Sequence, residues 1–148
     1  MASFNFTNLA RHLANGAIKF DGSQTYKVLL LSALPSTTDT TGNQDVWVNR
    51  SDVTGEIAAT GGYTAGGIAQ AFTLNALTLV GGKQTVTWTD QPSAWTSATI
   101  TAVGSIIYLN SGAAATDKLL HCIDFGGTIT STAGTFALAY STTLQIVI

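Results

Sequence analysis

Residues 26–34 read YKVLLLSAL, an unbroken apolar run closed by Pro35. Such a run, bounded by turn formers, is expected to be a strand buried on both faces or a strand lying under a helix. On its N-terminal side lies the one helical pattern of the chain. Thr7 or Asn8 is placed to cap it, Leu9 and Leu13 share a face, and Asn15-Gly16 supplies a stop. Phe6 precedes the cap and is positioned to staple onto that face. On the C-terminal side, residues 35–45 (PSTTDTTGNQD) are polar and rich in turn formers, which predicts an exposed loop.

Further along, residues 49–53 (NRSDV) predict a single helical turn, and Gly61, Gly62, Gly66 and Gly67 crowd a tight connection between strands. Residues 70–79 alternate and then change parity near residues 75–77, which predicts a bulge or bend. Gly81-Gly82 is a hairpin signal, and residues 83–89 (KQTVTWT) alternate Val86 and Trp88 against threonines. Residues 95–102 alternate again, Gly104 predicts a kink before residues 105–109 (SIIYL), and Asn110-Ser111-Gly112 predicts a turn. Residues 119–125 (LLHCIDF) read as a strand ended by Gly126-Gly127, and residues 136–148 alternate to an apolar end, Leu144-Gln145-Ile146-Val147-Ile148. An apolar end is expected to be paired in a sheet or covered by a partner. About eight short strands with almost no helix between them predict an all-β fold: an antiparallel β-sandwich, jelly-roll-like, with one short N-terminal helix. Residues 1–148 are expected to form one domain, with residues 1–20 as a helical segment packing on or extending from it.

Composition narrows the function. Charged residues make up 9% of the 148 residues and hydrophobic ones 45%. An ordinary globular domain carries about 25% charge. Threonine, serine, glycine and alanine have taken the place of charge, and a surface of hydroxyls and methyls suits coverage by a neighbour better than free solution. Net charge is −2 and the six basic residues are scattered, so nucleic acid is not expected as a direct partner. No apolar run reaches the ~18 residues of a membrane span, and no basic segment followed by an apolar stretch opens the chain.

Catalytic patterns are weak. The two histidines, His12 and His121, lack the companions and spacings of a zinc site, so no metal or cofactor is expected. His12 is expected to be a solvated helix position and His121 an ordinary strand residue. A nucleophilic pairing of His121 with Cys122 fails because adjacent strand residues face opposite ways. Cys122 itself reads as a small core residue. The acids Asp21, Asp39, Asp45, Asp52, Glu56, Asp90 and Asp117 fall mostly in turns, where Asp bonds its own backbone; Asp124, inside a strand, is expected to accept backbone hydrogen bonds or to pair with Arg50 or Lys27. Residues 61–67 lack the Gly-Lys-Ser/Thr ending of a phosphate loop. Trp47 and Trp95 leave a carbohydrate-binding alternative open, whereas Trp88 reads as core.

In order along the chain, LARHLANGAI (9–18), YKVLLL (26–31), GYTAGG (62–67), VTWTDQPSAW (86–95), ATITAVGSIIY (98–108) and LLHCIDFGG (119–127) resemble a family of small structural proteins of tailed bacteriophages, the head decoration or cement proteins. The resemblance implies a non-enzymatic virion component. It would be assembled in the host cytoplasm, sit on the outer capsid surface, bind the major capsid protein, self-associate as a dimer or trimer, and hold the shell against internal DNA pressure. The long 35–45 loop and the strong threonine content depart from that pattern, and a tail or baseplate structural or carbohydrate-binding protein is the alternative. Expected contact residues are Phe4, Phe6, Leu9 and Leu13 at the N-terminus, Thr38 and Asp39 in the loop, and Leu144, Ile146 and Ile148 at the C-terminus.

Overall fold

A computed structural model describes residues 4–35, 47–74, 78–80, 83–85, 88–90 and 93–138, with side chains described outside residues 72–93. The fold is mostly antiparallel β-sheet with one short helix. In chain order the elements are β1 (Phe4–Asn5), α1 (Asn8–Ala14), β2 (Tyr26–Leu31), a 3-10 turn (Arg50–Asp52), β3 (Ile68–Gln70), β4 (Phe72–Leu74), β5 (Thr78–Val80), β6 (Lys83–Thr85), β7 (Trp88–Asp90), β8 (Ser93–Leu109) and β9 (Lys118–Leu138). Five of the strands form one sheet in the order β1-β9-β8-β2-β3, while β4 pairs with β7 and β5 with β6 as separate ribbons. Val80 opposes Lys83, the register that a two-residue connection at Gly81-Gly82 requires.

The run at residues 26–34 behaves as its composition dictates. Val28, Leu29, Leu30 and Leu31 are all fully buried, because apolar side chains on both parities need cover on both faces. Val28 and Leu30 join Ile107, Leu109 and Ile100 on one face, and Leu29 and Leu31 join Ile106, Tyr108 and Leu119 on the other. Each such side chain contributes about 1.5–3 kcal/mol of transfer free energy, so β2 and β8 anchor the domain.

Two predicted breaks are not breaks. Gly104 lies inside a continuous β8, where an added Cβ would stand 2.6 Å from the Ile123 carbonyl oxygen, so the glycine serves close strand approach rather than a kink. Gly126-Gly127 does not end β9 either. Between the pairs Gly104↔Asp124 and Ala102↔Ile129, β8 advances two residues while β9 advances five, and the surplus bulges out at the glycines, Gly126 adopting φ +73°. The strand then resumes to Leu138. The hairpin of β8 and β9 is therefore much longer than the separate strands read from the sequence.

The N-terminus straddles one edge of the sheet. β1 pairs Phe4 with Cys122 and Asn5 with His121 of β9. Phe4 and Phe6 pack with Leu29, Leu31 and Cys122, whereas Leu9 and Leu13 of α1 pack on the opposite cluster with Val28, Leu30 and Leu120. The expected staple between Phe6 and the helix face is thus replaced by a clamp that grips both faces of β9. Thr7 precedes the helix without a side-chain cap, and Gly16 at φ +70° closes it.

Candidate functional site

The densest set of polar groups links the glycine segment to the sheet. Asp117, fully buried, sits just before β9 and accepts from Arg50 Nε at 2.8 Å, from the Ser111 backbone N–H at 2.7 Å and from Ser111 Oγ at 3.0 Å. Burial pushes its carboxyl up, but the Arg50 and Ser111 bonds outweigh it and hold the group below its ordinary value. The Arg50 guanidinium also lies over the Tyr108 ring, 5.5 Å from its centroid. Tyr108 Oη donates to the Gly66 carbonyl at 2.6 Å, and burial pushes that phenol up to about 12. Glu56 Oε1 accepts from the Gly66 N–H and from Tyr63 Oη at 2.8 Å, and Tyr63 Oη in turn accepts the Leu30 N–H.

Each of these groups has a structural partner, so the cluster acts as a pin. It fixes residues 61–67 against β2 and β8 and joins them to the turn that leads into β9. Tyr108→Phe, which removes only the bond to Gly66, is expected to lower stability by about 1–1.5 kcal/mol in urea unfolding. The 3-10 turn is locked by a capping box in which Asp52 accepts from the Val48 and Asn49 N–H groups.

Several expectations need correction. Asp124 is not among them, since its Oδ1 accepts the Gly126 backbone N–H at 2.8 Å, one of its two expected roles, while Arg50 pairs with Asp117. His12 is not solvated: it is 6% exposed, because it sits three residues after Leu9 and next to Leu13 on the packed face of α1. Trp47 and Trp95 are 9% and 4% exposed, spent on the two apolar clusters, and offer no ring face for a sugar to stack on. Trp95 contacts Tyr63 and Phe136 instead.

Of the expected contact residues, Phe6 and Leu9 are 2% exposed and belong to the domain's own core, since an amphipathic arm clamped on a sheet buries its apolar side chains there. Phe4 and Leu13 are partly exposed at its margin. Thr38, Asp39, Leu144, Ile146 and Ile148 lie outside the described residues, as do residues 36–45 of the loop and residues 139–148 of the expected C-terminal strand, whose first three residues close β9. His121 is half-buried in β9 and Cys122 is 1% exposed, with burial and then Asp124 pushing its thiol up to about 12. Such a thiol is inert as a nucleophile.

A surface feature went unforeseen. Residues 126–130 of β9 are exposed, and Ile129, at 47%, is the exposed large apolar side chain among the described residues. Beside it a shallow hollow of about 290 Å³ is lined by Ile123, Phe125, Ile129, Phe136 and Leu138 with interleaved threonines. Residues 125–148 carry no charge at all, which was the available sequence signal. Among the described residues no group of His, Cys, Asp and Glu is arranged to hold a metal ion, and no helix is long and apolar enough to cross a membrane. Comparison with known proteins finds no matching family model, no matching curated protein and no matching solved structure.

Proposed function

We propose that this chain is a capsid decoration protein of a tailed bacteriophage, bound to the outer surface of the major capsid shell and stabilising it against internal DNA pressure. In this reading it self-associates as a dimer or trimer, and the sheet is one wall of a jelly-roll-like sandwich. The observation that carries the proposal is the uncharged, threonine-rich stretch of β9 with Ile129 exposed at its centre. Beyond its pairing with β1 at His121 and Cys122, β9 has β8 as its one strand partner among the described residues, and an edge without charge or proline has little to keep a neighbouring protein away. Many such modest contacts on one lattice reinforce one another through effective concentration. The polar cluster around Asp117 supports the same reading, since its ionisable groups hold loops in place rather than standing open to a substrate.

Cryo-electron microscopy of the purified particle tests the proposal. Many copies on the outer shell are expected. A few copies at the tail would shift the case to a tail or baseplate component, and absence from the particle would overturn a virion role. Ile129→Lys is expected to leave monomer stability within about 0.5 kcal/mol of wild type while lowering occupancy on the shell.

A further inference from the structure

Both histidines of the chain stand at the joint between the N-terminal arm, residues 4–18, and β9. His121 projects from β9 on the side of Ile107, and its Nδ1 is 2.7 Å from Asn5 Oδ1 of β1. That contact places the ring proton on Nδ1 and leaves Nε2 as the bare nitrogen. His12 is carried by α1, which packs on β9; it is 6% exposed, and neither ring nitrogen has a hydrogen-bond partner among the described residues. The charged groups facing His12 are Lys118 at the start of β9 and Arg11 on its own helix, both cationic. Asn5 faces His121, and Asp124, further along β9, acts on Cys122 rather than on His121. A proton added to either ring is therefore buried without a compensating anion, which is costly unless the ring escapes to water.

We infer that the arm is an acid-released latch: protonation of His12 and His121 detaches β1 and α1 from β9 and uncovers the apolar strip beneath Phe4 and Phe6. Burial lowers His12 from its ordinary value, as do Lys118 and Arg11, and burial lowers His121 to about 4. The sign follows from linkage. The docked arm binds fewer protons than the released one, so docking is strongest above the ordinary histidine value and weakens as pH falls through the interval down to about 4. The sheet itself does not depend on either ring, since Val28, Leu29, Leu30 and Leu31 of β2 and Ile106 and Ile107 of β8 are buried and uncharged at every pH. The inference is independent of the proposed virion role.

Cys122, the single cysteine, reports on the latch because Phe4 lies opposite it in the β1–β9 register and Phe6 shares its cluster. The full chain is treated with 4,4′-dithiodipyridine, which reacts in acid, and each rate is normalised to that of a small thiol at the same pH. Between neutral pH and about pH 4.5 the normalised rate is expected to rise about fiftyfold from His121 alone. Circular dichroism of the sheet should stay unchanged. His12→Leu with His121→Gln is expected to remove most of the rise. Unchanged protection of Cys122 in acid would overturn the latch, as would exposure that coincides with loss of the sheet, or a full rise in the double variant. Should the variant fail to fold, the wild-type histidine ring resonances decide: titration in step with release supports the latch, and titration at the ordinary value with the arm still docked overturns it.

Discussion

Gly67→Ala is expected to cost about 4 kcal/mol or more and to lower Tm by roughly 10 °C or more, with loss of the β2–β3 pairing. A Cβ at this position would lie 1.8 Å from the Val28 carbonyl oxygen and 2.8 Å from Leu29 Cα, which are backbone atoms of a fully buried strand. Backbone in the sheet's centre has no room to yield, so β3 must move away. Gly67 also adopts φ +68°, where an L side chain costs about 1–2 kcal/mol. Gly16→Ala separates the two effects. Gly16 has nearly the same dihedral, φ +70°, but nothing within 4 Å of its would-be Cβ, so only the dihedral cost of about 1–2 kcal/mol is expected there. Thermal melts of the two variants side by side measure the difference. Equal losses would mean that the close approach to Val28 is not what Gly67 provides.

Asp117→Ala is expected to lower stability by about 3 kcal/mol, or Tm by roughly 10 °C. The carboxylate is fully buried and accepts from Arg50 and from both donors of Ser111, so its removal leaves the Arg50 guanidinium without its anion and unties the Ser111 turn at the entry to β9. Arg50→Met is expected to do comparable damage by leaving the buried carboxylate without its cation. The two changes together should cost less than their sum, since they remove one interaction twice. The acid dependence has a definite sign. Asp117 is held below its ordinary value, so its contribution is present above that value and is lost as pH falls through the folded one. That window lies below the range in which the histidines act, and acid unfolding of Asp117→Asn should lack the lower step while keeping the upper one.

The parts of this fold that depend on short-range pattern were legible in the sequence. The two-sided burial of β2 follows from apolar residues on both parities, α1 from the shared face of Leu9 and Leu13 and its glycine stop, the 3-10 turn from its capping box, and the glycine connection from positions that demand positive φ. The lengths of β8 and β9 were not legible, because Gly104 and Gly126-Gly127 look like terminators locally. Whether a glycine ends a strand or bulges within it depends on a partner strand that local sequence does not specify. The bond of Arg50 to Asp117 was hidden for a related reason, since 67 residues separate the two and no spacing rule connects them. His12 was legible in principle. It falls on the face that Leu9 and Leu13 define, and position on that face outweighs the polarity of the ring. At the level of function, the absence of charge from residue 125 onward was visible, but only the register of β9 shows which of those residues are turned outward.

The pairing of β1 with β9 also sets a timetable. Asn5 and His121 are 116 positions apart, the widest separation among the side-chain hydrogen bonds described. During synthesis the arm emerges long before its dock exists, and closing so long a loop is slow compared with forming a local hairpin. Phe4 and Phe6 therefore lack the cover of Leu119 and Cys122 until β9 has left the ribosome. Until the arm is seated, Cys122 and its neighbours are open to other nascent chains, so the yield of soluble protein should depend on how quickly β8 and β9 zip together.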